Sequence, residues 1–248
     1  MESFPADHRL GAPDYSAKGT TALLTDLAAL TRHLRAGLAG PLPGLEAHVV
    51  MAPKPRAGWQ PAVVPGDARA AAALLLLYPR EGRPHLALTV RAASLLQHSG
   101  QVSLPGGAVE PGETLETAAL REAAEEVGLD PSRVEVLGHL SPLHIPVSGF
   151  VLHPIVGIAR GRPAFHPDPR EVARVVEAPL ALFGDPHTVR LRLRTHQGRD
   201  YEVPYFAVDG EQVWGATAMV LGEFLWVLGC APDLPAPSAA TGAESVIE

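Results

Sequence analysis

A single cysteine, Cys230, stands among the 248 residues of this chain. That scarcity excludes an intramolecular disulfide and fits a reducing compartment. Cys230 is expected to serve as a small apolar residue near a helix end. No apolar run approaches the roughly 18 residues that suggest a membrane span, so no membrane role is expected. The opening Met1-Glu2-Ser3-Phe4-Pro5 has neither a basic region nor an apolar one of the export type, and a cytoplasmic location is therefore expected. Excess positive charge is also missing: 20 Lys and Arg face 27 Asp and Glu, a formal net charge of −7. This balance argues against broad nucleic-acid binding, but not against a small anionic substrate that arrives with metal. No internal repeat is visible. What is present is an ordinary globular composition, 46% hydrophobic and rich in Ala, Leu and Val, in a chain long enough to bury a substantial core.

Residues 1–66 read as an N-terminal extension, with little order expected over 1–19. From Thr20 to Leu38, apolar residues at Leu23, Leu24, Leu27, Leu30, Leu34 and Leu38 recur with a helical period. One amphipathic helix is expected at about 20–38. Prolines and glycines interrupt residues 39–68, which show extended stretches such as His48 to Met51. Arg69 to Tyr78 carries four alanines and then four leucines, and periodicity alone fits either a buried strand or a helix. The Leu86 to Arg91 run, across a turn near Pro79 to Pro84, suggests a hairpin and favours a strand. Further strands are expected at Val134 to Leu140 and Val151 to Ile158, a helical turn at Pro179 to Phe183, and an apolar helix at Met219 to Leu228. Residues 231–248, rich in Pro, Ala and Ser, are expected to be disordered.

The most informative stretch runs from Gly107 to Leu129. Glu122, Glu125 and Glu126 stand at i, i+3 and i+4, which places them on one face of a helix. Like charges so close repel, whereas a hard divalent cation would turn the repulsion into ligation. Leu120, Ala123 and Val127 face another side, so the same helix can bury one face while the other holds metal. Leu104-Pro105-Gly106-Gly107 upstream reads as a turn after a short strand around Gln101 to Leu104. Its paired glycines permit positive φ and close backbone approach to a ligand. Glu113 and Thr114 open the helix and Gly128 stands where a terminating glycine belongs.

These offsets resemble the Nudix box: Gly, five residues, Glu, seven residues, Arg-Glu, a bulky apolar residue, any residue, Glu-Glu, any residue, Gly, bulky apolar. The defined positions hold Gly107, Glu113, Arg121, Glu122, Ala123, Glu125, Glu126, Gly128 and Leu129. Only Ala123 departs, being smaller than usual, which bears on packing rather than on metal. So many fixed offsets make the match specific. The resemblance implies an α+β fold, a mixed β-sheet sandwiched between helices, in a domain spanning about 67–230. It also implies hydrolysis of a nucleoside diphosphate linked to another moiety. Glu122, Glu125 and Glu126 become the expected ligands of Mg²⁺ or Mn²⁺, with the Gly106 carbonyl completing the set. Arg121 and Glu113 are expected to orient the carboxylates; an exposed salt bridge with no further role is the other reading. Glu122 and Glu125 are equal candidates for taking the proton from water.

A second resemblance, to the coenzyme A pyrophosphatase subfamily, covers residues from about 67 to 230. Leu88-Thr89-Val90-Arg91-Ala92 and Gly100 to Gly107 match its upstream signature, with Leu96 in place of its second Arg, Leu104 in place of Phe, and Ala87 in place of its first Leu. Pro142 to Phe150, His153 to Gly157, Glu171-Val172, Glu177 to Leu180 and Trp214-Gly215-Ala216-Thr217-Ala218 match further segments. The implied reaction is cleavage of coenzyme A, or an acyl form, to 3′,5′-ADP and 4′-phosphopantetheine. Arg91, Gly106 and Gly107 are the expected substrate contacts, although Arg91 also reads as an exposed strand-end arginine. Singly, Trp214 and Phe150 read as core residues. His98, His144 and His153 read as structural or solvated.

Arg190, Arg192 and Arg194 alternate with Val189, Leu191 and Leu193, the period of a strand with one basic face. A charged edge guard is the favoured reading, and a phosphate-binding ladder the sharper one. Three functions are thus carried forward: a coenzyme A pyrophosphatase, a Nudix hydrolase of another nucleoside diphosphate derivative such as NADH, ADP-ribose or a nucleoside triphosphate, and a non-catalytic ligand sensor. The intact glutamates count against the third. A small nucleotide is the expected partner, and a homodimer is left open.

Overall fold

The computed structural model describes residues 23–55, 65–93, 100–196 and 198–235. The expectations for residues 1–19, for Leu96 and His98, and for the tail past 235 lie outside the described residues. At the centre is the hairpin of β1 (Arg69–Arg80) and β2 (Arg83–Arg91). It closes at Glu81-Gly82, whose φ values of 52° and 74° are those that a tight two-residue hairpin turn needs. β1 is apolar along almost its whole length because both its faces are covered. Ala72, Leu74, Leu76 and Tyr78 enter one core, and Ala73, Leu75 and Leu77 the other.

Around this hairpin lie β3 (Val102–Ser103), β4 (Gly106–Ala108), β5 (Val134–His139), β6 (Leu143–Ile145), β7 (Phe150–Ala159) and β8 (Val172–Pro179). They form an eight-stranded sheet in the order β3-β2-β1-β7-β5, with β4 beside β1, β6 beside β7 and β8 beside β2. The sheet is mixed: β1 runs parallel to β7, from Arg69 opposite Phe150 to Leu77 opposite Ile158, and antiparallel to β2 and β4. Helices cover both faces, as the α+β expectation requires. The α-helices with bounds among the described residues are α1 (Leu27–Leu38), α2 (Leu45–His48), α3 (Leu115–Val127) and α4 (Gly215–Val227). α3 lays Ala118, Ala119, Ala123 and Val127 on one face of the sheet. α4 covers the other with Met219, Val220, Leu221, Phe224 and Leu225, joined there by Leu30 and Leu34 of α1.

The structure departs from the sequence reading in four places. A turn at Leu24-Thr25 interrupts the helix expected over about 20–38, and α1 begins at Leu27; Thr20 to Ala22 lie outside the described residues. The Asp26 carboxylate accepts the Ala28 and Ala29 N–H groups at 2.8 and 3.1 Å, a cap that fixes the helix start locally. His48 to Met51 is helical, since α2 runs into a 3₁₀ turn at Val49–Met51. Leu104 to Gly107 is not merely a turn, because Gly106 and Gly107 belong to strand β4. Finally, β9 (Val189–His196) is the edge of a separate antiparallel meander with β10 (Arg199–Val208) and β11 (Glu211–Trp214); the latter two strands, like β8 of the main sheet, carry no expectation in the sequence.

Glu223 of α4, fully buried, binds two distant segments. It accepts the Gly44 N–H at 3.1 Å and the Ser141 N–H at 3.0 Å, and lies 2.9 Å from His48 Nε2. Burial alone would raise its pKa, but His48, Ser141 and Gly44 together hold it below the ordinary glutamate value. Residues 44–52 are thereby fastened to the same core, to which Met51 and Ala52 contribute.

Candidate active site

Helix α3 is defined by its ends. The Thr114 hydroxyl accepts the Thr117 N–H at 3.2 Å, and Gly128 closes the helix in the left-handed conformation, φ 67°. The segment after β7 then packs across this terminus. Val127 and Glu126 carbonyls, which a helix end leaves without intrahelical partners, accept the N–H groups of His166 (2.8 Å) and Asp168 (2.9 Å).

Strand β4 lies close against α3, and only glycine permits the distance. A Cβ on Gly107 would overlap the Glu122 carboxylate, and one on Gly106 would overlap the Ala72 carbonyl and the Ala73 backbone. Neither glycine has positive φ, so their value here is the missing side chain rather than turn geometry. The Gly106 N–H donates to Glu126 Oε2 at 3.1 Å, which holds this backbone against the box.

Arg121 gathers the remaining acidic groups. Its Nε and Nη2 donate to the two Glu113 oxygens at 2.8 and 3.0 Å, Nη1 donates to Glu122 at 2.9 Å and Glu125 at 3.1 Å, and Nη2 also reaches the Ala108 carbonyl at 3.1 Å. Glu113 in turn accepts the Glu110 N–H. The pair is therefore more than an exposed salt bridge, since Arg121 ties β4, the preceding loop and two helix carboxylates together. Its hydrogen bond to Arg121, first among several causes, lowers the Glu113 pKa.

The three helix carboxylates occupy different environments. Glu126 is only 5% exposed, and burial pushes its pKa up to about 7 against the opposing pull of the Gly106 amide and Arg91. Burial also raises Glu122, while Arg121 opposes it. Glu125 is exposed and drawn to Arg121. Among the described residues, no three acidic, histidine or cysteine side chains converge on one point as a metal cage. The donors are nonetheless all carboxylate oxygens, the type that Mg²⁺ and Mn²⁺ prefer, and Glu122 and Glu126 flank the glycine strand from one helix.

Arg91 ends β2 beside this cluster, with its Nε buried and without a hydrogen-bond partner among the described residues. A groove of about 560 Å³ runs from Arg91, Gly106 and Gly107 past Ile145 and Phe150 to Trp214. Phe150 and Trp214, expected as core residues, are half-buried and line this groove. Leu104 and Ala87, which depart from the subfamily signature, are both buried in the cores flanking the sheet. Glu171 was not anticipated as a site residue. It is exposed at the end of the segment packed on α3, its carbonyl accepts the Ala92 N–H at 2.8 Å, and its charge acts on both Glu122 and Glu126. Its only sequence signal is its place in the matched Glu171-Val172 segment.

Residues 68–189 match the NUDIX domain. The chain is 40% identical over 168 residues to the uncharacterized Nudix hydrolase NudL of Citrobacter koseri, covering 66% of this chain and 85% of that protein. It is 35% identical over 153 residues to NudL of Photorhabdus laumondii, covering 61% and 81%. Among solved structures, a Nudix hydrolase from M. smegmatis, RenU, aligns at 28% identity over 44% of this chain and 70% of that one, with a TM-score of 0.37. Among the described residues no helix is long and apolar enough to cross a membrane. With the box residues gathered on α3 against a glycine strand and this degree of identity to NudL, the chain belongs to the Nudix hydrolases, enzymes that cleave phosphoanhydride bonds.

Proposed function

We propose that α3 and β4 form the hydrolytic centre and that the substrate is a nucleoside diphosphate joined to a second, partly apolar moiety. The observation that carries this reading is the placement of Gly106 and Gly107, which meet two box carboxylates and also line the apolar groove. A diphosphate at the glycines would leave the rest of the molecule to extend toward Phe150 and Trp214. Family membership supports the broad class, which includes NADH, ADP-ribose and nucleoside triphosphates. The groove and the matched segments ending in Trp214 to Ala218 favour coenzyme A or an acyl form within it.

Nudix enzymes commonly work with a divalent metal, and Mg²⁺ or Mn²⁺ held by Glu122, Glu125 and Glu126 with the Gly106 backbone would neutralise the diphosphate and polarise the attacking water. The protein's own groups have separable tasks. Arg121, held by Glu113, keeps Glu122 and Glu125 oriented. Whichever of Glu122 and Glu125 is less engaged takes the proton from water. Arg91 supplies a charge-assisted contact to a phosphoryl oxygen, and Gly106 and Gly107, which line the groove beside the carboxylates, form the floor on which the diphosphate rests.

The test is a Mg²⁺-dependent hydrolysis screen over coenzyme A, acetyl-coenzyme A, NADH, ADP-ribose, dinucleoside polyphosphates and nucleoside triphosphates, with products identified by mass. Release of 3′,5′-ADP and 4′-phosphopantetheine at the highest kcat/KM is the expected outcome. Higher kcat/KM on another nucleotide would move the assignment to that member. No turnover of any would overturn the hydrolytic reading.

A further inference from the structure

The meander β9–β11 begins where the NUDIX match ends, at residue 189, and only Trp214 of it lines the groove. Its two faces differ in character. Directly paired residues of neighbouring strands share a face. Arg190 with Tyr205 and Trp214, and Arg194 with Tyr201, therefore lie on one side together with Arg192. Asp200 and Glu202, paired with Thr195 and Leu193, lie on the other. The arginines are also held. The guanidinium carbons of Arg194 and Arg192 lie 4.6 and 5.4 Å from the Trp214 ring centre, and Arg192 is bonded to Gln212. Neither Arg190 nor Arg194 is paired with a carboxylate among the described residues.

A guard for a sheet edge needs only solvated charge. Here two guanidinium groups are half-buried against the indole that forms the far wall of the groove, while acids are confined to the opposite face. Guanidinium planes fixed by ring stacking are suited to a multidentate oxyanion. We infer that the basic face of β9 with Trp214 is a second anion subsite, which takes a phosphate monoester carried by the substrate at a distance from its diphosphate. The inference rests on the reading of the groove as the substrate's and narrows that substrate to a nucleotide bearing such an extra phosphate.

The test compares ligands that differ only in this group. Isothermal titration of adenosine 3′,5′-bisphosphate and of AMP gives the preference for the extra phosphate in wild type, in the double variant Arg190→Gln/Arg194→Gln and in Arg194→Lys. Wild type is expected to favour the bisphosphate by about tenfold, the contribution of one well-formed charge-assisted hydrogen bond. The double variant should bring the ratio close to one, and Arg194→Lys should retain part of it. Thermal unfolding of each variant checks the fold, and Arg190→Gln alone, at an exposed position, serves if the double variant melts early. No preference in wild type, or the same preference in all proteins, overturns the subsite. In parallel, kcat/KM for coenzyme A and for dephospho-coenzyme A separates this inference from the substrate reading. Loss of the binding preference in the double variant without any coenzyme A hydrolysis by wild type would uphold the subsite and reject coenzyme A. Hydrolysis with an unchanged preference would do the reverse.

Discussion

At Gly107 a hydrogen in place of a side chain decides where Glu122 can sit. The neighbouring glycine has a different constraint, because a Cβ on Gly106 would meet backbone rather than the movable end of a side chain. Two alanine variants should therefore separate activity from stability. Gly107→Ala is expected to keep its melting temperature within a few degrees of wild type while losing most of its turnover, since Glu122 must swing aside. Gly106→Ala is expected to lower the melting temperature markedly, because β4 cannot stay paired with β1. Equal thermal losses in both would count against this division. Glu126, expected on the sequence to face the surface, is instead buried. Glu126→Gln keeps an oxygen for the Gly106 amide and removes a charge that is costly to bury. We expect kcat to fall below about a tenth of wild type, a loss above about 1.4 kcal/mol, while the melting temperature in metal-free buffer at pH 8 equals or exceeds that of wild type. A variant that keeps its turnover would remove Glu126 from the set of proposed ligands.

Helix α3 was legible in the sequence because its signals are local: a capping threonine, helix formers, carboxylates at fixed offsets and a terminal glycine. The strand β1 was legible only with its neighbour, since its apolar run has no period of its own. What escaped was set by contacts distant in sequence. His48 to Met51 reads as extended, yet the bond from His48 to Glu223 holds it in a helical turn. Glu171 has no sequence signal beyond the matched Glu171-Val172 segment, and its place beside Glu122 and Glu126 comes from the His166 and Asp168 amides docking on the end of α3. β10 and β11 mix polar and apolar residues without the clear alternation of β9. That docked helix end can be probed at Gly128, where an added Cβ would strain the left-handed backbone and approach His166 Cβ to 2.9 Å. Gly128→Ala is expected to cost about 1–3 kcal/mol, measurable by urea unfolding. A loss of a few tenths would mean that the segment after β7 yields easily and does not fix Glu171.

The molecule as a whole is closed by Glu223, which joins the segment before β1, the loop after β5 and the last helix. Its pKa is held below the ordinary value of 4.5. The folded state thus binds its proton less readily than the unfolded chain, so this contribution is complete above the ordinary value and is lost as the pH falls through the folded one. Wild type should lose unfolding free energy below about pH 4.5 more steeply than Glu223→Gln. At pH 7.5 the variant should be less stable by about 1–3 kcal/mol, the cost of weakening buried hydrogen bonds to a charged acceptor and leaving one partner unsatisfied. Parallel acid limbs in the two proteins would show that other groups set the acid sensitivity. Timing adds a demand of its own. During synthesis β1 leaves the ribosome well before its parallel neighbour β7 and before α4, and at about 5–20 residues per second the interval lasts on the order of seconds. Throughout it the most apolar strand of the chain lacks its parallel neighbour, and the face that α4 covers lacks that helix. Arg69, Arg80 and Arg83, which bracket that run, are placed as gatekeepers whose charge keeps nascent chains from pairing with one another before the sheet is complete.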